Sequence, residues 1–197
     1  MNNNAIVTPP LRRSDLVVFQ SSSFFLVLSL ALVTFSPAPA LIAKIGSERA
    51  TSILSIISAC AALMEIVFSP ALGSLLDSVG RKPALLFTLI SIATVHGAVS
   101  IHSSVLTICA AKFISAVSVG LFFISSQVII SDISASNPEK LGSMLGVQSA
   151  LIGAAFFLGA IGAGRLSEFG LSVIYGTSTI IAVLTAALVS FGMRETL

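Results

Sequence analysis

Six stretches of this chain are each too long and too apolar to sit on the surface of a water-soluble domain. They cover residues 16–43, 52–76, 84–101, 105–130, 141–164 and 171–192. Runs of about eighteen or more apolar residues are what a helix needs to cross the hydrocarbon core of a bilayer. Short polar turns separate them, so each run folds back beside the previous one. Only 9% of residues are charged against 55% hydrophobic, too few charges to cover a water-exposed surface. The expected fold is therefore an all-α membrane protein, a bundle of six transmembrane helices.

The charges that remain lie mostly at the ends of the runs. With the N-terminus inside, Arg12, Arg13, Arg81, Lys82, Lys140 and Arg194 face the cytoplasm, and Lys44, Arg49 and Arg165 face outside. That bias follows the positive-inside rule and puts both termini in the cytoplasm. A net charge of +2 spread in this way gives no basic patch for a nucleic acid. Cys60 and Cys109 sit inside apolar runs without metal-ligand spacing, so they read as small apolar side chains, and no metal site is expected. There is no Gly-x-x-x-x-Gly-Lys-Ser/Thr loop for an ATP-driven pump, no catalytic triad and no His-Glu-x-x-His, so no enzymatic activity is expected. Residues 1–14 read as a cytoplasmic tail, 15–193 as the membrane domain and 194–197 as the start of a further loop or a truncated end.

The turn between the second and third runs is the most specific stretch. It reads Gly73-Ser-Leu-Leu-Asp77-Ser-Val-Gly80-Arg81-Lys82-Pro83. Gly80 allows the chain to reverse, and Pro83 is expected to open the next helix. The spacing Gly-x-x-x-Asp-x-x-Gly-Arg-Lys resembles the signature loop between the second and third helices of the major facilitator superfamily. Asp132, followed by Ile133-Ser134 at the end of the fourth run, resembles the tetracycline-efflux-like branch of that family, where the matching aspartate helps to clamp the signature loop. Lys112, followed by Ser115, Ala116 and Gly120, stands where the family usually has an arginine before small residues. The Ser36-Pro37-Ala38-Pro39 stretch fits the proline pair at the outer end of the family's first helix and marks a kink or an end there. In the fifth run, Gly146, Ser149, Ala150, Gly153, Ala160 and Gly164 form a stripe of small residues that allows close helix approach, either inside the bundle or against a second half-transporter. Gly159 is followed by Ala160 rather than proline, which departs from the family's antiporter motif.

The resemblance implies a secondary transporter working by alternating access, with the six spans dividing as three plus three inverted repeats. In that reading Gly73, Asp77, Gly80, Arg81, Lys82 and Asp132 form the gating cluster, and Gly146, Gly153 and Gly159 pack helices. Residues with polar chemistry inside the runs are candidates for substrate or proton coupling: Glu65, Lys112 and Gln127. Counting depth along the runs places Glu65 and Lys112 at nearly the same level, so an ion pair facing a polar cavity is expected, unless each faces water or the lysine snorkels outward. His96 reads as a satisfied packing residue, with proton relay as the other reading. No cofactor is expected beyond a coupling proton. The expected partners are the lipid bilayer, a small-molecule substrate and a second half-transporter, either in the same longer chain or as a homodimer. A membrane interaction or regulatory protein that keeps the fold without transporting is the alternative.

Overall fold

The computed structural model describes residues 13–135 and 138–193, without the side chains of residues 13, 14, 72, 73 and 75–77. The tails at 1–12 and 194–197, the Asn137 turn, and the surroundings of Gly73 and of the Asp77 carboxylate lie outside the described residues.

Among the described residues, seven α-helices build the six spans: α1 Arg13–Thr34, α2 Pro37–Ile45, α3 Ser47–Val79, α4 Arg81–Ile101, α5 Val105–Ser134, α6 Leu141–Leu166 and α7 Leu171–Gly192. Each span is long and apolar enough to cross a membrane, with α1 and α2 together forming the first. That span breaks at Phe35-Ser36, where two prolines just downstream, Pro37 and Pro39, cannot donate the backbone bonds a continuous helix would need. Within α1 the serines cost little in an apolar setting, because Ser22 and Ser23 both donate to the Phe19 carbonyl and Ser29 donates to that of Leu26.

Several boundaries differ from the sequence reading because helices persist into their polar flanks, and two of them bear on the charged groups. α4 begins at Arg81, so Pro83 lies inside its first turn rather than opening it. The turn of the signature stretch shrinks to the single residue Gly80, whose φ of 99° lies in the left-handed region that a Cβ disfavours. At the other end of the fourth span, α5 runs to Ser134 and carries Asp132 in its final turn.

The helices pack as α1 against α6 and α7, α4 against α5 and α7, and α3 against α5. Exchanging the first span with the fourth, the second with the fifth and the third with the sixth turns this set of pairs into itself. That is the contact pattern of three-plus-three repeats. Among the described residues two large apolar clusters fill the bundle, beside a small third one at Ala84 and Leu121. One, around Phe19, Leu89, Ile92, Phe122 and Val189, lies toward Gly80. The other, around Leu41, Val99, Ile108 and Tyr175, lies toward Gly46. α3 and α6 are left with long exposed apolar faces, such as Leu63, Ile66 and Val67 on one and Phe157, Leu158 and Ile161 on the other.

Candidate functional site: a charged cavity and a clamped end

Two arrangements carry chemistry, and the first is at the Gly80 end. A helix N-terminus disfavours cations and a C-terminus disfavours anions, because the aligned peptide dipoles leave partial charges of the same sign there. Arg81 and Lys82 stand at the N-terminus of α4, and Asp132 stands in the last turn of α5. Each is offset by a contact. Arg81 Nε donates to Asp132 Oδ2 at 3.1 Å, joining two misfits into one ion pair. Lys82 Nζ donates to the Ser190 carbonyl at 2.8 Å, where α7 ends and its last carbonyls lack helical partners. The sequence grouped Lys82 with the gating charges. In the structure it ties α4 to α7, while Arg81 ties α4 to α5.

The second arrangement is a cavity of about 320 Å³ with Glu65, His96, Lys112, Phe123, Phe156 and Tyr175 among its walls. Lys112 projects from α5 and Glu65 from α3, but no ion pair joins them. The Glu65 carboxyl lies against Gly120, where a Cβ would be 3.0 Å from its Cδ and 3.1 Å from its Oε1. Gly120 is two turns beyond Lys112 on α5, about 12 Å at the usual helix rise of ~1.5 Å per residue. The expected match in depth fails because α5, at 30 residues, is longer than the hydrocarbon core is thick, so counting from its outer end misplaces Lys112. Measured from the other end, Glu65 and Gly120 each stand fourteen residues before their helices stop, at Val79 and Ser134. Gln127 is exposed on α5, one turn beyond Phe123 on the same stripe.

His96 is buried and hydrogen-bonded on both sides. Its Nδ1 is 2.8 Å from Ser178 Oγ on α7, and its Nε2 is 3.0 Å from Ser115 Oγ on α5. Ser178 Oγ donates its one hydrogen to the Ser29 carbonyl of α1, at 2.8 Å. It must therefore accept from His96, which places the hydrogen of a neutral ring on Nδ1 and makes Nε2 the acceptor of the Ser115 hydroxyl. The Tyr175 ring closes the site edge-on, with centroids 5.3 Å apart. One imidazole thus joins α1, α4, α5 and α7. This is the packing role read from the sequence, with Ser115 and Ser178 as partners that no local pattern announced. Replacing His96 by leucine leaves the Ser115 hydroxyl without its acceptor and removes one of the polar links between α4 and α7. We expect a loss of about 1–3 kcal/mol, the usual cost of unpairing a buried polar group, read as a lower melting temperature of the purified protein. An unchanged melting temperature would show that the four-helix link contributes nothing.

The small residues of α6 serve two sides of the helix: the stripe read from the sequence is exposed, and Gly159 lies off it. Gly159 is buried, and a Cβ there would overlap that of Ala31 on α1 and stand 3.2 Å from the Leu28 carbonyl oxygen. Gly146 and Gly153 meet nothing within 4 Å and lie on the exposed side.

A family profile described as Major Facilitator Superfamily matches residues 21–196. Among curated proteins, the chain is 27% identical over 152 residues to the class B tetracycline resistance protein of Escherichia coli, covering 77% of this chain and 37% of that protein. The class C tetracycline resistance protein of Escherichia coli is 30% identical over 151 residues, with the same coverage of 77% and 37%. The chain therefore spans well under half the length of these relatives. Among solved structures, the human organic anion transporter MFSD10 (TETRAN) superposes with a TM-score of 0.79 at 17% identity, covering 96% of this chain and 49% of that one.

Proposed function

Because the chain belongs to the Major Facilitator Superfamily, we propose that it forms the N-terminal half of a secondary active transporter that moves a small solute by alternating access. The observation that carries this reading is the cavity. All six apolar spans contribute walls to an open site that includes a carboxylate, an ammonium and an imidazole, and such groups are expensive at membrane depth unless they serve a pathway. Substrate then binds among Glu65, Lys112 and, one turn beyond Phe123, Gln127, with Glu65 taking up a coupling proton when the site is empty and giving it up when substrate binds. Gly73, Asp77, Gly80, Arg81, Lys82 and Asp132 form the gate at the cytoplasmic end. The second half, in the same longer chain or as a second copy, packs on the exposed faces of α3 and α6, where Gly146 and Gly153 allow close approach.

The test is reconstitution into liposomes followed by counterflow of labelled solutes. The expected result is saturable exchange that is lost when Glu65 or Lys112 is replaced by glutamine. Well-folded, inserted protein with no exchange across solute classes would favour the non-transporting regulatory reading. Orientation is checked in cells, where a cysteine at Ser47 should react with an impermeant reagent from outside and one at Ser78 should not.

A further inference from the structure

We propose that the cavity accepts an amphipathic zwitterion, with an anionic group set against Lys112, a cationic group set against Glu65 and a flat apolar body between them. The proposal rests on the transport reading above and names the substrate class of that same site.

The first ground is that the two charges share a cavity and have no partner. Among the described residues neither Glu65 nor Lys112 makes a hydrogen bond or an ion pair. Both lie within spans, Lys112 half-buried and Glu65 exposed at the open side of the cavity, and an unpaired charge there is strongly disfavoured once water is excluded. Closing the cavity over them therefore requires charge of both signs from something else.

The second ground is that they are held apart. The Glu65 carboxyl rests on the backbone of α5 at Gly120, where a Cβ would stand 3.0 Å from its Cδ and make it shift. Lys112 is rooted about 12 Å away along the same helix at ~1.5 Å per residue, farther than its side chain of roughly 6 Å spans. While the carboxyl keeps its seat, the two side chains cannot neutralise each other. A ligand with a single charge would leave one of them bare.

The third ground is the wall of the same cavity. Ala116 and Val119 lie between Lys112 and Gly120 on α5, Phe123 and Phe156 add apolar surface, and the imidazole of His96 is already held by Ser115 and Ser178. The space between the charged ends suits an aromatic or otherwise flat body rather than a sugar, which would need several hydrogen-bonding partners. A volume of about 320 Å³ falls at the small end of the range for small-molecule sites.

The experiment uses the full chain in lipid nanodiscs at neutral pH and measures equilibrium binding of matched probes. The zwitterions are para-(aminomethyl)benzoic acid and the corresponding aminomethyl-biphenylcarboxylic acid, one ring and two rings long. Each is compared with the acid lacking its amine and the amine lacking its acid. The expected result is that at least one zwitterion binds about tenfold or more tightly than both singly charged analogues, which is ~1.4 kcal/mol. Lys112→Gln should lower its affinity to that of the amine, and Glu65→Gln to that of the acid. Gly120→Ala, which makes the Glu65 carboxyl shift but keeps its charge, should weaken zwitterion binding by less than Glu65→Gln does while leaving the binding of the acid unchanged. The inference is overturned if neither zwitterion exceeds its analogues. It is also overturned if the acid alone matches the zwitterion, because Glu65 is then neutralised by a proton or another charge. Counterflow in the same lipids separates the two levels. Zwitterion binding without exchange keeps the site and removes transport, whereas exchange of an acid or an amine with no zwitterion preference keeps transport and removes the site assignment.

Discussion

Replacing Gly159 by leucine should abolish accumulation of folded protein in the membrane, the largest effect expected of any single change in the helix packing. α1 and α6 meet where a Cβ on Gly159 would overlap the Ala31 Cβ and press on the Leu28 carbonyl and the backbone of Ala31. Those neighbours are a methyl attached to backbone and the backbone itself, so no flexible chain end can swing aside. In lipid there is no hydrophobic penalty for two helices to separate, and close packing carries most of the association. Gly159→Ala should cost about 1–3 kcal/mol, the usual range for overpacking a well-filled contact, and the leucine more. Gly153→Ala is the control, because nothing stands within 4 Å of its new Cβ. It should leave the isolated bundle unchanged or slightly more stable, since alanine is the better helix former by about 1 kcal/mol. Fluorescence-detected gel filtration across a temperature ramp checks all three. Equal melting of the alanine variants at 153 and 159 would mean that α1 and α6 do not meet as closely as described.

The same pair of glycines shows what the sequence carries and what it cannot. The composition of the fifth span announces a helix built for close approach, and the apolar runs announce six spans because hydrocarbon thickness sets their length. The sixth was readable to the residue, as 171–192, since Gly170, at φ 95°, and Gly192 bracket it. Which side of a helix rich in small residues touches a neighbour depends on helix rotation, and rotation is decided by all the contacts at once. Gly159 packs while Gly146 and Gly153 do not: it stands roughly 120–140° around α6 from them, off the stripe that the sequence singled out, and composition alone does not say which of the two sides meets α1. The His96 link has the same character. Its partners lie 19 and 82 residues away in sequence, and each is a serine among many. The seat of Glu65 on Gly120 was missed for a different reason. Depth counted from one helix end assumes that helices stop at the membrane surface, and α3 and α5 both run on into polar flanks.

The clamp at the Gly80 end should govern turnover rather than folding. Arg81 and Asp132 join the third and fourth spans, one from each set of three helices, at the end where Gly80 alone connects α3 to α4. Asp132 is 40% exposed, so in this arrangement the pair is partly screened and contributes about 0.2–1 kcal/mol. A contact of that size cannot hold a fold together, but it can tilt an equilibrium between two conformations whose energies nearly match. About 1 kcal/mol shifts such an equilibrium roughly fivefold, and the shift grows if the pair is shielded from water in one state and wetted in the other. Arg81→Ala should therefore leave insertion and substrate affinity within about twofold while changing the exchange rate about fivefold or more. Asp132→Asn should act in the same direction and more mildly, because the asparagine side chain still accepts a hydrogen bond. Asp77→Asn should resemble Arg81→Ala if the Asp77 carboxylate belongs to the same network. The decisive variant is the exchange Arg81→Asp with Asp132→Arg. It reverses both charges, and it also places each favourably against its helix dipole, with an anion at the start of α4 and a cation at the end of α5. If pairing between α4 and α5 is what sets the rate, the exchange should recover most of the loss seen in Arg81→Ala. If it recovers nothing while binding stays intact, the requirement is for a positive charge at residue 81 itself, and the pair with Asp132 is only a means of holding that charge at a helix end that disfavours it.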